Sequence, residues 1–287
     1  MTRWRLIFCC ALVLVAAGVV ALWPSGPKEP EYEGLKLSIW IGFGNNEFTN
    51  TRIKARAAIN AVATDALPYL MNEFTVRESR LTALRRKLFP QDLNAFEKSQ
   101  EIHTRHYWAT LGLYYLGTNT AAVLPTLAKY LKDQERFAQA AYAMSGCGDM
   151  ALPYQLNAPF TTNNQVNGGL IVALGNIAQQ NESAISRLIE LTRHTNDFIR
   201  ETAIGQLTLV RGRNDLVMPA LIKLLSDGSM SVRITALTYL PRMGAQAQAA
   251  IPALLAIMQE GDSILANRAS NAIHQIDPTA LPRAAAP

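Results

Sequence analysis

The chain has 287 residues, enough for one large domain or two small ones with a substantial buried core. Hydrophobic residues make up 49% of the sequence and charged residues 17%, which excludes a globally disordered protein. The net charge of +5 includes Arg3 and Arg5, which precede an apolar segment, and without them 25 basic residues face 22 acidic ones. This excess is too small to predict nucleic-acid binding.

The apolar segment runs from Leu6 to Trp23 and contains no charged side chain. As a helix it would be about 27 Å long, close to the hydrocarbon thickness of a bilayer. Because basic residues favour the cytoplasmic side, Arg3 and Arg5 predict a cytoplasmic N-terminus and an exported body. We expect a single-pass membrane anchor, with the body on the periplasmic side of an inner membrane. The alternative is a secreted protein with a signal peptide cleaved after the small residues Ala16, Ala17 and Gly18.

The cysteines are Cys9, Cys10 and Cys147, and the first two lie inside the apolar segment. Cys147 is therefore alone in the folded part, which excludes a disulfide framework and a cysteine-rich metal site. No catalytic cysteine signature surrounds it. We expect Cys147 to be a small buried core residue.

An internal repeat is the most informative feature of the chain after the apolar segment. Ser186, Pro219 and Pro252 are evenly spaced along the chain, and each follows an apolar residue and precedes a leucine by two positions. Looser copies begin at Pro68, Pro125 and Pro153, so the sequence predicts six units. The step from Pro68 to Pro125 is much longer than the later steps, which predicts an insertion in the first unit.

Each unit is predicted to form two helices. Ile251, Leu254, Leu255 and Met258 recur at the spacing of one helical face, and Asp262 or Ser263 is suited to cap a second helix. Glycines at 117, 212 and 244 end second helices, as left-handed caps would require. Because one helix pair cannot bury both of its apolar faces alone, the pairs must stack. No convincing set of strands is present.

The segments "MPALIKLLSDGSMSVRITALTYLPRMG" and "IPALLAIMQEGDSILANRASNAIHQI" resemble HEAT repeats, and the resemblance covers about residues 55–277. It implies an all-α fold, a right-handed α-α superhelix. The chain as a whole is similar to membrane-anchored bacterial envelope proteins that carry such repeats. We therefore divide it into residues 1–5 (cytoplasmic), 6–23 (transmembrane anchor), 24–50 (linker and entry segment), 51–277 (solenoid, with an insertion at about 76–101) and 278–287 (tail).

The resemblance also implies a polar ladder between units, built from an aspartate in the turn and an arginine six residues later. Asp227 and Arg233 match both positions and are expected to be a structural inter-repeat pair. Elsewhere the match is partial. Asp133 has no arginine six residues later, and Arg200 has no acid six residues earlier. Glu260 and Ala266 match neither residue of the pair, so a continuous ladder is not expected.

Motifs for chemistry are scarce. His103 and His106 are spaced to share a helical face as metal ligands, but a zinc site needs further ligands and only Glu101 is adjacent. The sequence contains no His-Glu-x-x-His, Gly-x-Ser-x-Gly or phosphate-cradling glycine loop. We expect no catalytic residue, metal or cofactor.

The densest charge cluster lies in the insertion. With two aromatic residues that follow, it forms a candidate binding patch for an acidic protein or anionic lipid headgroups: Arg77, Arg80, Arg85, Arg86, Lys87, Tyr107 and Trp108. The alternative is a solvated amphipathic helix whose leucines, Leu81, Leu84 and Leu88, pack inward.

Function is predicted from the architecture. We expect a non-catalytic scaffold whose second helices line a concave face that binds another protein, with no nucleic-acid partner. One alternative is a structural envelope protein that binds a polymer or a lipid surface. The other is an enzyme related to HEAT-like proteins that act on tetrapyrrole chromophores or alkylated DNA bases.

Overall fold

The computed structural model describes residues 26–44, 48–161 and 163–281. The expected anchor, residues 6–23, and the residues before it lie outside these ranges, as do residues 282–287 of the tail. Within the ranges described, no helix combines the length and the apolar character needed to cross a membrane.

The entry segment begins with a small antiparallel hairpin, which the sequence did not predict. Strands β1 (Glu31–Tyr32) and β2 (Leu35–Lys36) pair across a turn in which Glu33 and Gly34 have positive φ. The Trp40 indole Nε1 donates a hydrogen bond to the Tyr32 carbonyl at 3.0 Å. Two-residue strands carry no alternating pattern long enough to recognise in a sequence.

The rest is helical. The α-helices are α1 (Leu37–Gly44), α2 (Thr49–Ala61), α3 (Ala63–Thr75), α4 (Arg80–Leu88), α5 (Leu93–Leu116), α6 (Leu124–Lys129), α7 (Phe137–Ser145), α8 (Leu152–Leu156), α9 (Asn164–Ala178), α10 (Glu182–Leu191), α11 (Asp197–Leu207), α12 (Asn214–Leu224), α13 (Met230–Tyr239), α14 (Ile251–Gln259) and α15 (Ser263–Ile276). Short 3₁₀ segments lie at Gly117–Val123, Tyr130–Lys132, Gly148–Met150, Leu240–Ala250 and Pro278–Ala280.

Helices α3 to α15 form six pairs in the part of the chain that is described. The first helices are α3, α6, α8, α10, α12 and α14, and the second helices are α5, α7, α9, α11, α13 and α15. Each second helix packs on the second helix of the next pair, and α4 is inserted between α3 and α5. The six residues that start the sequence repeats, Pro68, Pro125, Pro153, Ser186, Pro219 and Pro252, all lie in first helices. The predicted all-α solenoid is confirmed.

Successive second helices approach closely because small residues line their contact. A Cβ atom added to Gly146, at the end of α7, would lie 2.2 Å from the Tyr114 carbonyl oxygen of α5, so only glycine fits there. One unit later, Gly169 of α9 lies against Ala138 of α7, where an added Cβ atom would be 2.4 Å from the alanine Cβ. The repeating alanines Ala203, Ala236 and Ala269 are completely buried in later second helices.

Two of the helix ends follow the predicted capping chemistry. The Asp262 carboxylate caps α15 by accepting hydrogen bonds from the backbone N–H groups of Ile264 and Leu265 at 2.9 and 3.0 Å. Gly117 directly follows α5 and has positive φ, as a left-handed cap requires. Gly212 and Gly244 also have positive φ, but they lie five residues beyond the last residues of α11 and α13, so the prediction that they cap these helices is wrong.

Polar contacts between turns fix the register of neighbouring units. Arg200 forms a bidentate ion pair with Asp227 of the next unit, with Nη2–Oδ1 2.8 Å and Nε–Oδ2 3.0 Å. Arg233 pairs in turn with Glu260 of the unit after that. Asp227 and Arg233, proposed as one pair, are thus halves of two different rungs. The ladder runs through Glu260 because this residue takes, one repeat later, the place that Asp227 has in its own turn.

Arg200 is the most connected member of this ladder. Its guanidinium also donates to the backbone carbonyls of His194 and Thr195 and pairs with Asp197. The hydrogen bond to Asp227 raises the pKa of Arg200 above its ordinary value, so the side chain stays charged. The Arg200 and Asp227 side chains are only 12% and 14% exposed, which limits screening by solvent.

We expect Arg200→Ala to lower the free energy of unfolding by about 1–3 kcal/mol, because it leaves Asp227 without its partner in a shielded turn. Arg211→Ala, at an exposed arginine just beyond α11, is the matched control and should change stability by less than about 0.5 kcal/mol. Thermal unfolding followed by circular dichroism measures both. Equal midpoints for the two variants would show that the rung does not stabilise the stack.

Candidate binding surfaces

Helix α4 carries most of the predicted basic patch and stands away from the stack. Ser79 caps it by accepting a hydrogen bond from the Thr82 N–H at 3.0 Å. The helix has no buried residue, and every residue from 84 to 91 is exposed. The alternative in which Leu81, Leu84 and Leu88 pack inward is therefore wrong, since these leucines are between 52% and 68% exposed.

The side of α4 that faces the protein carries small and polar residues instead. Ala83 and Arg86 line a cleft of about 770 Å³ between α4, α5 and the turn before α7, together with Arg77. Arg86 pairs with Glu78 at 3.1 Å, and Arg85 pairs with Asp92 at 2.8 Å at the far end of the helix. Glu78 and Asp92 thus pair with two of the arginines, and the cluster keeps a net positive charge.

The base of the insertion is held by Arg136, which the sequence did not single out, and by the candidate metal ligand His106. The buried Arg136 donates to the backbone carbonyls of Phe74 and Val76, at 2.9 and 2.6 Å, where α3 has just ended. His106 Nε2 lies 2.7 Å from the same Val76 oxygen. Burial lowers the pKa of His106, so the ring is neutral at neutral pH. Among the residues described, no group of three or more candidate ligands could hold a metal ion around His103 and His106.

Tyr107 and Trp108 lie on a different side of α5 from the cleft. Their rings meet edge to face, with centroids 5.4 Å apart. The Trp108 ring packs against Gly42 of α1, and Tyr107 is half exposed. The predicted patch is therefore divided, with arginines on α4 and aromatic rings toward α1.

A second surface follows the second helices, and we call it the second-helix row: Tyr114, Tyr142, Asn176, Gln206 and Tyr239. All of these side chains are partly exposed, one on each second helix from α5 to α13.

Each member of the row after Tyr114 contacts the second helix before it. The Tyr114 and Tyr142 rings have centroids 4.9 Å apart. Asn176 Nδ2 donates to the Ser145 hydroxyl of the preceding unit at 3.2 Å. Gln206 packs over Gly175 of α9, and Tyr239 packs over Gly205 of α11. The row thus crosses five successive units.

The row is uncharged at its centre and cationic toward both ends. Burial raises the pKa of Tyr142 to about 12, so its phenol stays protonated at neutral pH. Arg56 lies over the Tyr115 ring at 5.4 Å beside Tyr114, and Arg242 lies over the Tyr239 ring at 4.2 Å. Neutral phenols and amides both donate and accept hydrogen bonds, which matches the groups of a peptide backbone.

Sequence analysis missed this row, although a signal exists. Asn176, Gln206 and Tyr239 each stand three residues after a buried alanine of a second helix. The alanines recur in the sequence, whereas the residues of the row differ in type from unit to unit.

Cys147 lies beside the row but is buried, as expected. Its thiol donates a hydrogen bond to the Gly117 carbonyl at 3.2 Å. Burial raises the pKa of Cys147 to about 11, so the thiolate is scarce at neutral pH.

Comparisons with known proteins return helical-repeat structures. No protein-family profile matches the sequence, and no curated protein matches it. Similar solved structures include a computationally designed armadillo repeat protein for modular peptide recognition, at 15% identity and a TM-score of 0.36, covering 84% of this chain and 100% of that one.

Two natural proteins are also similar. The CpcE and CpcF complex of phycocyanin lyase from Nostoc sp. PCC7120 has 18% identity and a TM-score of 0.37, covering 89% of this chain and 99% of that one. An archaeal HEAT-like repeats protein from Thermococcus onnurineus NA1 has 14% identity and a TM-score of 0.29, covering 85% and 88%. The helix pairs of this chain confirm the predicted helical-repeat fold.

We expect Cys147 to react slowly with iodoacetamide at neutral pH, because its thiol is buried and protonated, and to react faster as pH rises toward its pKa. Quantitative mass spectrometry of the peptide that contains Cys147, in native and urea-unfolded protein, measures the difference. Rapid alkylation of the native protein at pH 7 would contradict the buried position.

Proposed function

We propose that this chain is a non-catalytic scaffold that binds an extended segment of a partner protein along the second-helix row. Residues 6–23 hold it at a membrane, and the body lies outside the cytoplasm.

The row is the observation that carries this proposal. Packed helices stand about 8–10 Å apart, and an extended chain rises about 3.3 Å per residue. Each unit would therefore meet about every third residue of a bound segment. One partly exposed side chain per unit supplies that contact, either an aromatic ring or an amide. Arginines near both ends favour a segment that also carries acidic residues.

The absence of a catalytic role rests on the sequence, which has none of the nucleophile, metal or phosphate motifs sought above. Membrane tethering rests on the apolar run from Leu6 to Trp23 and on the basic residues that precede it.

Photo-crosslinking in the native cell tests the binding surface. We expect a p-benzoylphenylalanine residue placed at Tyr142 in the full-length chain to form a discrete protein adduct, because the ring belongs to the row. The same residue at Gln259, exposed on the first helix α14, is the matched control and should form none. Gln206→Ala combined with Tyr239→Ala should reduce the Tyr142 adduct, since the segment spans several units. Adducts of equal yield at both positions, or none at Tyr142, would overturn the proposal.

A reporter fusion tests the placement. We expect alkaline phosphatase fused after Pro287 to be active, because Arg3 and Arg5 favour export of the body. Exchanging these arginines for glutamates should lower that activity. An inactive fusion on a stably produced chain would contradict the topology, and full-length protein in a soluble extracytoplasmic fraction would indicate cleavage.

A further inference from the structure

We propose that the insertion tip, residues 81–96, rests on an anionic phospholipid surface. In this arrangement the apolar side chains of the tip enter the interfacial layer, and the basic side chains contact lipid phosphates. This contact is separate from the second-helix row.

The first observation is a dense apolar surface that the fold leaves uncovered. Six large hydrophobic side chains in the tip are between 51% and 74% exposed: Leu81, Leu84, Leu88, Phe89, Leu93 and Phe96. Isolated exposed hydrophobic residues are ordinary in proteins, whereas a cluster of this size marks a contact surface.

The apolar residues follow the geometry of a helical hairpin. Leu81, Leu84 and Leu88 share one face of α4, Leu93 and Phe96 are one turn apart at the start of α5, and Phe89 lies in the connection. They cover two helices and the turn between them, and two of the six, Leu88 and Phe89, border an open pocket at that turn. Such a surface suits a broad, deformable partner better than an inserted peptide.

The second observation is the charge around these residues. Residues 77–98 contain six lysines and arginines against three aspartates and glutamates, a net charge of +3. Arg85 and Arg86 pair with acidic residues of the same segment, and yet their side chains remain 56% and 50% exposed. Long basic side chains can reach phosphates while their stems lie along apolar surface. Exposed leucine and phenylalanine among lysine and arginine is the composition of interfacial helices.

Charge complementarity favours an anionic bilayer over a second copy or an acidic protein as the partner of the insertion tip. A second copy would bring two clusters of net positive charge together, because a twofold interface pairs the same patch with itself. An acidic protein would satisfy the charge but needs an apolar surface shaped to two helices. An anionic bilayer offers both phosphates and a deformable apolar layer.

The test uses the full-length chain, reconstituted into vesicles, with Cys9→Ser, Cys10→Ser and Cys147→Ala. A nitrobenzoxadiazole probe is attached at Phe89→Cys. We expect blue-shifted emission and quenching by doxyl-labelled lipids in vesicles of phosphatidylcholine and phosphatidylglycerol mixed in equal amounts. Because exposed charges are screened beyond about 8 Å at physiological ionic strength, quenching should fall as salt rises. It should also fall in vesicles of phosphatidylcholine alone.

A probe at Ile264→Cys is the position control, since this residue is 58% exposed in the last unit, far along the chain from the tip. Leu84→Ser with Leu88→Ser should abolish the quenching at position 89. Leu209→Ser, at another exposed leucine, should leave it unchanged. Because α4 has no buried residue, the tip variants are expected to keep the melting temperature of the stack.

Four outcomes would overturn the proposal. Equal quenching at positions 89 and 264, or quenching that does not depend on lipid charge, would remove the lipid contact. A probe signal that rises with protein density in the vesicles would indicate a second copy. A protein adduct from a crosslinker at Leu84, without lipid quenching at 89, would indicate an acidic protein. The Tyr142 adduct distinguishes the two proposals, because it should survive Leu84→Ser with Leu88→Ser.

Discussion

The close approach of successive second helices is the constraint on which the rest of this structure depends. At Gly146 the backbone of one unit comes so near the carbonyl of Tyr114 that no Cβ atom fits, and Gly169 lies as tightly against Ala138 one unit later. Small residues at these positions fix the distance between units. That distance in turn sets the spacing of the second-helix row and brings the turns of neighbouring units within hydrogen-bonding range.

Polar contacts between turns then select one register among those that apolar packing would allow. Arg200 reaches Asp227, Arg233 reaches Glu260, and the Ser229 hydroxyl donates to Asp197 at 2.6 Å. Each contact joins only adjacent units, as expected of a quasi-one-dimensional fold. An insertion such as α4 can therefore enter the first pair without disturbing the pairs that follow.

Much of this fold could be predicted from the sequence, because the repeat spacing records the stacking directly. Pro219 and Pro252 mark first helices, and the buried alanines Ala203 and Ala236 mark second helices. The ladder was only partly predicted, since Glu260 is longer than the aspartate of the repeat and its partner Arg233 lies in the preceding unit.

The candidate binding surfaces were harder to predict for two physical reasons. Periodicity shows that Leu81, Leu84 and Leu88 share a face of α4, but it cannot show whether that face meets the protein or the solvent. The second-helix row has no common residue type, because tyrosine, asparagine and glutamine occupy equivalent places. Its members are identified by their contacts with the preceding second helix, and a sequence repeat does not show such contacts.

Helix α5 connects the insertion tip directly to the stack. It is one unbroken helix of 24 residues, about 36 Å long at 1.5 Å per residue. Leu93 and Phe96 at its start are exposed in the tip, whereas Leu113 and Leu116 near its end are buried in the stack. A helix without a break transmits rotation along its length, so an angle imposed at the tip becomes an angle of the whole stack. The tip would then determine the tilt at which the row is presented.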